Sequence, residues 1–326
     1  MYSNFLKFLV DPKTKEPLNL NITKKDGENI LEGTLSSSSS IYPIVRGIPR
    51  FLDKEDKNDN KSFSYQWNKW PKIQFESENK GKIMEGHTLK MWERITGVKE
   101  INLTDKLMID FGCGSGRFIE IARMKGARVI GLDISDSVEA SGRIFQKDPN
   151  VLICQGDILK PPLKTEIADG IFSIGTLHHT TDPKKGFEEM VKILKQGGWI
   201  ATSVYTTGIY NDPIVNIYRS FFKKCWPFLG HYPPLIYTYL TTYLIRPLFF
   251  NQPTKIFAHI LKIFFPLIHL PDIKWSLLDT FDCITPTHQS CHTLFELFQW
   301  FKNCNLERIE PSDWGGASLH ALKSNE

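Results

Sequence analysis

Short apolar runs alternate with stretches of helical spacing through the middle of the chain. Each run ends in polar or small residues, and each following stretch places apolar residues three or four positions apart, as helices do. Buried strands are therefore expected at 107–110, 128–133, 151–158, 168–175 and 199–205. Strands that alternate with helices in this way predict an α/β fold with a parallel sheet and right-handed crossovers.

The segments before and after these five strands predict the rest of the domain organisation. Two later runs, 306–310 and 318–322, predict an antiparallel hairpin that completes a seven-stranded sheet. Residues 1–52 alternate over short stretches, which is typical of a small separate β unit. Residues 53–98 predict a charged linker followed by cap helices, and residues 99–326 are expected to form the main domain.

Residues 210–274 interrupt the passage from the fifth strand to the closing hairpin. They are dense in Phe, Tyr, Leu and Ile, and prolines divide them into short helices. No apolar run reaches the roughly 18 residues that a transmembrane helix needs. A lid over an apolar acceptor pocket, a partner interface and a peripheral membrane contact are all open interpretations of this insertion.

Three glycines, Gly112, Gly114 and Gly116, follow Asp110 at every second position. Glycine is needed where the backbone turns sharply and a ligand must approach without meeting a Cβ atom. Dinucleotide-binding folds use a different spacing, G-x-G-x-x-G. The D-x-G-x-G-x-G pattern resembles motif I of the class I S-adenosylmethionine methyltransferases. The resemblance implies that cofactor and a Rossmann-like sheet in the order 3-2-1-4-5-7-6; an NAD-binding fold and a non-catalytic relic are the alternatives.

Two further acids end the second and third predicted strands. Asp133 lies 21 residues beyond Gly112, about the interval at which an acid reaches ribose hydroxyls in doubly wound folds. An ionised carboxylate only accepts hydrogen bonds, and so suits two hydroxyl donors. The family resemblance implies that Asp157 accepts a hydrogen bond from the adenine amino group and that Ile158 packs on the ring. Asp110 and Gly175 lie at the carboxyl ends of predicted strands, where ligands bind in such sheets, and with Ile134 they are assigned to the same cofactor site.

The segment before the sheet carries a second resemblance. Residues 63–67 match the F-x-x-Q-W opening of a methyltransferase group that has the same N-terminal unit. The resemblance implies that Tyr65, Gln66 and Trp67 close over the methionine end of the cofactor. The alternative is that the aromatic residues only fix the linker to the core.

Three histidines are candidate catalytic residues. His178 and His179 follow the fourth predicted strand, where acceptors lie in the family that the glycine motif resembles. An imidazole of near-neutral pKa can remove a proton from a hydroxyl, whereas the alternative is a structural role for both residues. His288 lies in a C-terminal polar cluster with Asp279 and Asp282, and buried carboxylates need partners. This cluster either fixes the C-terminal segment or contacts the acceptor.

The first 52 residues resemble the zinc-ribbon-like methyltransferase-activator family. The second half of that family's pattern is present at residues 42–49, whereas residues 10–14 occupy the positions of the cysteine ligands. Without thiolates these positions are not expected to hold zinc, so no metal site is predicted.

Composition narrows the functional classes. The 326 residues carry a net charge of +4 with scattered Lys and Arg, which does not favour nucleic acid, although that partner stays open. The six cysteines form no C-x-x-C pair and are typical of a reduced, cytoplasmic protein. The N-terminal apolar stretch is too short for a signal peptide.

The sequence narrows the class of substrate that accepts the methyl group only in part. The fourth strand is not followed by the N-P-P-Y or D-P-P-Y run of enzymes that methylate amino groups of adenine or glutamine, and residues 174–177 resemble small-molecule methyltransferases instead. We therefore expect methylation of a small or medium metabolite, on an oxygen of a sugar or lipid-linked intermediate. A tRNA or protein methyltransferase is the alternative enzyme, and a non-catalytic S-adenosylmethionine-binding protein is the alternative outside the enzymes.

Overall fold

The structure, a computed structural model, describes residues 1–52, 61–99, 102–207 and 211–325. Most of the predicted charged linker, and residue 210 at the start of the predicted insertion, lie outside the described residues. The first elements form a four-stranded antiparallel sheet in sequential order, with strands β1 (Asn19–Asp26), β2 (Asn29–Ser36), β3 (Ile41–Val45) and β4 (Ile48–Pro49).

The second sheet has seven strands and confirms the predicted fold. Its strands are β5 (Leu107–Phe111), β6 (Arg128–Asp133), β7 (Val151–Gln155), β8 (Ala168–Ile174), β9 (Leu194–Val204), β10 (Leu306–Pro311) and β11 (Ala317–Lys323). Their spatial order is β7-β6-β5-β8-β9-β11-β10, which is the predicted order 3-2-1-4-5-7-6. The first five are parallel, and β11 is antiparallel to both of its neighbours.

The helices fill the connections between these strands. They are α1 (Lys61–Lys69), α2 (Glu76–Asn79), α3 (His87–Thr96), α4 (Arg117–Met124), α5 (Val138–Phe145), α6 (Pro183–Ile193), α7 (Pro213–Leu229), α8 (Tyr232–Leu240), α9 (Lys255–Phe264), α10 (Ile273–Ile284) and α11 (Leu294–Asn303). Residues Thr241–Ile245 extend α8 as a π-helix. Among the described residues, no helix is both long enough and apolar enough to cross a membrane.

One boundary differs from the sequence expectation. The run at 195–198 is expected to separate a helix from a strand that begins at Trp199. In the structure β9 begins at Leu194, directly after α6, and the register against β8 shifts between Ala168 and Gly170. The irregularity lets the strand continue through Gly197, whose φ of +70° only glycine adopts freely.

The N-terminal sheet and the seven-stranded sheet share one hydrophobic core. Phe5 and Ile30 of the N-terminal part belong to the same buried cluster as Ile109 and Ile130 of the main sheet. The junction also carries polar contacts, because Arg50 forms a parallel bridge with Gln155 at the outer strand β7. The two sheets therefore pack together as one close-packed unit, and the carboxyl edge of the main sheet belongs to it.

Candidate active site

One cavity of about 720 Å³ opens at the carboxyl ends of the central parallel strands. This volume lies within the roughly 300–1,000 Å³ typical of small-molecule sites. The cavity is lined on one side by the glycine loop and the ends of β6 and β8, and on the other by α10. Ligands in open α/β sheets bind at this edge, where the strand order reverses.

The glycine loop wraps tightly around the end of β5. Gly114 has a φ of +53°, and a Cβ atom built there would lie 3.0 Å from Nε1 of Trp67. Gly112 has a φ of +80°, and a Cβ atom there would lie 2.1 Å from the Thr176 side chain. Both residues line the cavity, so glycine is required by backbone conformation and by space.

Asp133 connects this loop to the end of β6. Its Oδ2 atom accepts a hydrogen bond from the Gly114 backbone N–H at 2.9 Å, and Oδ1 accepts from the backbone and hydroxyl of Ser135 at 2.8 and 2.7 Å. Burial raises the pKa of the Asp133 carboxyl, and these hydrogen bonds oppose the rise. The carboxylate is thus fixed in orientation at the cavity wall.

The other predicted cofactor residues fall into two groups. The residues that line the cavity are Gly112, Gly114, Asp133, Ile134, Asp157, Ile158 and Gly175. The residues outside its lining are Asp110, Gly116, Tyr65 and Gln66. Asp110 is buried behind the loop, where burial and the nearby Asp133 carboxylate raise its pKa well above the ordinary value. Gly116 instead faces Phe145, since a Cβ atom there would lie 2.5 Å from that ring.

Of the three α1 residues that the resemblance implies at the cofactor, Trp67 lines the cavity, whereas Tyr65 and Gln66 lie outside its lining. Phe63 and Trp67, one turn apart, line the cavity. Tyr65 stacks on His231 with ring centroids 4.0 Å apart, and Gln66 is fully buried with its Nε2 atom 2.7 Å from Oδ1 of Asp282. Gln66 therefore does not line the cavity itself but donates a hydrogen bond to Asp282, which does.

A polar cluster faces the glycine loop from α10. Asp279 accepts a hydrogen bond from Nε2 of Gln74 at 3.0 Å, and Arg117 donates to Oε1 of the same Gln74 at 2.5 Å. Asp282 lies one turn further along α10 and accepts from the Tyr205 hydroxyl at 3.1 Å. Gln74 and Arg117 were not singled out from the sequence. One signal was present, since Arg117 is a cation in the first turn of α4, where the helix dipole disfavours positive charge.

The carboxyl of Asp279 has an unusual proton affinity. Burial and the negative charge of Asp282 raise its pKa from 3.8 to about 7, although Arg117 and Gln74 partly oppose the rise. Perturbed carboxyls in cavities are candidates for proton transfer, because their two protonation states are both populated near neutral pH.

The three predicted histidines occupy different environments. His179 and His288 line the cavity, whereas His178 is fully buried outside its lining. The His178 ring stacks on Tyr205 with centroids 3.8 Å apart, and its Nδ1 atom accepts a hydrogen bond from the Tyr205 backbone at 3.3 Å. Burial lowers the pKa of His178 well below the ordinary value. His178 therefore stays neutral and supports the end of β9.

His179 presents one defined tautomer. Its Nδ1 atom lies 2.9 Å from the backbone carbonyl oxygen of His288, which can only accept, so Nδ1 carries the proton and Nε2 keeps a lone pair. Burial lowers the pKa of His179 to about 4, although Asp282 opposes the change. The imidazole is thus neutral at physiological pH and able to accept a hydrogen bond at Nε2.

Comparisons with known proteins identify the class of the sheet domain. Residues 109–202 match the family described as "Methyltransferase domain". The match confirms the prediction of a methyltransferase domain in this part of the chain. It covers the strands and loops that carry most of the cavity's cofactor side.

Curated relatives share this part of the chain. A ubiquinone biosynthesis O-methyltransferase of Nitrosomonas europaea is 29% identical over 112 residues, covering 33% of this chain and 48% of that protein. A tRNA (carboxymethyluridine(34)-5-O)-methyltransferase of Arabidopsis thaliana is 28% identical over 117 residues, covering 35% and 28%. The chain thus spans less than half the length of these relatives.

A solved structure is similar over more of the chain. It is phosphoethanolamine N-methyltransferase 2 of Haemonchus contortus in complex with S-adenosyl-L-methionine, which is 17% identical. The similarity covers 80% of this chain and 44% of that one, with a TM-score of 0.41.

Proposed function

We propose that the whole chain is an S-adenosylmethionine-dependent methyltransferase that methylates an oxygen of a small or medium metabolite, a sugar or lipid-linked intermediate. One observation carries the proposal. One cavity joins the glycine loop, Asp133 at the end of β6 and Asp157 just after β7 to the polar cluster on α10. A cofactor on the first side and an acceptor on the second would therefore meet in one space.

The residues on the cofactor side fit S-adenosylmethionine. Asp133 and Asp157 offer carboxylate acceptors, which suit the ribose hydroxyls and the adenine amino group. Ile134 and Ile158 add apolar surface beside them in the cavity. The bound cofactor supplies an electrophilic methyl group on a sulfonium. We propose that Asp110 and Gly116 shape the loop from behind, and that Gln66 and Tyr65 support the α1 wall.

The residues on the acceptor side would position a hydroxyl and take its proton. In-line displacement gains much of its rate from holding the reacting atoms in a dry, fixed geometry. We propose that Asp279 accepts the proton, because its pKa of about 7 matches the working pH of a general base. His179 then accepts a hydrogen bond at Nε2 and orients the hydroxyl, with His288 fixing its tautomer and His178 supporting the strand behind it.

Labelled S-adenosylmethionine tests the proposal with the full chain. Incubation with a cell extract, followed by separation of small metabolites, lipids, RNA and protein, is expected to place the label in the metabolite or lipid fraction. Label in RNA or protein would instead support the alternative enzyme. Cofactor binding without transfer to any fraction would support a non-catalytic binding protein.

We also propose that residues 1–52 are a relative of the zinc-ribbon-like activator unit in which side-chain hydrogen bonds replace the metal. Asp11, at the former ligand positions, is fully buried. Its Oδ1 atom accepts from the backbone of Lys13 at 2.7 Å and of Thr14 at 3.2 Å, and Oδ2 accepts from the Ser37 hydroxyl at 2.5 Å. The turn and the hairpin tip are thereby joined through one carboxylate.

Metal analysis tests this replacement. Purified protein is expected to contain no stoichiometric zinc, and a chelator is expected to leave its thermal unfolding midpoint unchanged. Asp11→Ala should lower the midpoint, because three donors lose a buried acceptor and hydrogen bonds to charged groups contribute roughly 1.5–3 kcal/mol each. Zinc bound through residues 1–52 would contradict the proposal.

A further inference from the structure

The helices of the insertion present apolar stripes to solvent. On α8 and its π-helical extension, Tyr232, Ile236, Leu240 and Leu244 are exposed and recur every four residues. This spacing puts them on one side of the helix. The stripe that normally faces a protein core therefore faces outward here.

The α9 helix repeats the arrangement. Ile256, Ile260 and Ile263 are exposed, with 77% of the Ile256 surface accessible, whereas Ala258 is fully buried. On α7, Ile217 and Phe221 are exposed one turn apart. Most of the large apolar side chains that are exposed in the described residues lie between 217 and 265. Exposed large apolar side chains concentrated in one segment mark a candidate interaction site.

The charge of this region has one sign. The sequence contains no Asp or Glu between Pro213 and Pro271, but it contains six Lys or Arg. Lys223 and Lys224 are exposed in the second half of α7, and Lys255 is exposed at the first residue of α9. A surface that combines outward apolar helices, aromatic residues and lysines without acids matches an interfacial helix on an anionic bilayer.

The stripes belong to helices fixed to the rest of the protein. Arg219 of α7 donates from Nε and a terminal nitrogen to the backbone oxygen of Cys283 in α10, at 2.9 and 2.7 Å. Within the insertion, Tyr237 of α8 donates to the backbone oxygen of Pro266 at 2.9 Å, and Arg246, just after the π-helical extension, donates to the Ser276 hydroxyl of α10 at 3.0 Å. These hydrogen bonds hold the helices in place with their apolar stripes facing solvent.

We propose that the exposed apolar stripes of α7, α8 and α9, with Lys223, Lys224 and Lys255, form a docking surface for an anionic lipid bilayer. The apolar side chains insert at the level of the headgroups, and the lysines pair with lipid phosphates. A soluble protein partner that matched the lysines would need acids opposite them and apolar surface across three helices. An anionic bilayer supplies both features at once.

Vesicle binding tests the proposal without any measurement of catalysis. The full chain should float with vesicles of phosphatidylcholine and phosphatidylglycerol, bind pure phosphatidylcholine much more weakly, and lose binding as salt is raised. Lys223→Glu with Lys224→Glu should weaken binding to the anionic vesicles at least about thirtyfold. The matched control is Lys24→Glu with Lys25→Glu, on the exposed strand β1, which should bind as the unaltered chain does.

A second pair of variants tests the apolar part. Ile256→Ser with Ile260→Ser should abolish flotation, whereas Ile41→Ser with Ile83→Ser, at sites of 72% and 71% exposure elsewhere, should not. Circular dichroism confirms the fold of each variant. The salt dependence of vesicle binding by the unaltered chain tests the contribution of charge even if a variant does not fold. Equal binding to neutral and anionic vesicles, or no binding, would overturn the proposal. A dimer in solution that the Ile256→Ser pair dissociates would also overturn it, because a second copy would then cover the surface.

Discussion

Replacing Asp279 by asparagine is expected to lower the rate of methyl transfer at about pH 8 by at least about a hundredfold, the usual range for loss of a general base. The unaltered enzyme should gain activity as the pH rises through about 7, because Asp279 must lose its proton before it can accept another. The variant should show no such rise. Asparagine keeps the acceptor for Gln74, so the wall of the cavity is preserved.

The stability of the same variant provides a control. The folded-state pKa of Asp279 is raised, so the protonated carboxyl favours the folded state and this stability is lost as the pH rises through about 7. Asp279→Asn should therefore unfold at the same or a higher temperature than the unaltered chain at about pH 8. A rate loss in a variant of undiminished stability assigns the effect to chemistry.

Asp282→Asn distinguishes the two carboxylates of α10. The charge of Asp282 raises the pKa of Asp279, so its removal should shift the midpoint of the pH–rate profile to lower pH. An unchanged profile in Asp279→Asn would exclude Asp279 as the base.

Asp133→Ala is expected to weaken S-adenosylmethionine binding at least about tenfold, measured by calorimetric titration. The substitution removes an acceptor for the ribose hydroxyls, and hydrogen bonds to a charged group contribute roughly 1.5–3 kcal/mol. It also frees the Gly114 backbone that the carboxylate holds. Asp136→Ala, three residues further and exposed, is the matched control and should bind normally. Unchanged affinity in folded Asp133→Ala would remove Asp133 from the site.

The sequence predicted those parts of the molecule that short-range patterns determine. The strands of the parallel sheet are apolar runs because both faces are covered, and β5 and β7 are buried at every position. The glycine spacing indicated the loop, and Asp133 at the end of β6 and Asp157 two residues after β7 indicated the cavity edge. Asp133 and Asp157 both line the cavity.

Contacts between distant segments were harder to predict. Gln74 meets Asp279 across more than 200 positions of the chain, and no local pattern marks that pairing. Helix α1 forms one side of the cavity. The sequence resemblance indicated this segment but not which face of the helix turns towards the cavity. Helical spacing puts Phe63 on the same side of the helix as Trp67, which the resemblance did indicate, whereas Tyr65 and Gln66 lie outside the cavity lining.

The junction at Arg50 has a consequence for the solubility of the sheet. β7 is an outer strand of the main sheet, and an uncovered outer strand offers unpaired backbone groups to any other extended chain. The Phe51 backbone donates to the Gln155 oxygen at 2.8 Å, and the Arg50 side chain reaches the Gln155 side chain at 3.0 Å and Glu139 at 2.5 Å. The N-terminal unit therefore caps one side of the sheet against edge-to-edge aggregation. A chain shortened to the methyltransferase domain would expose that strand together with the apolar surface now covered by Phe5 and Ile30.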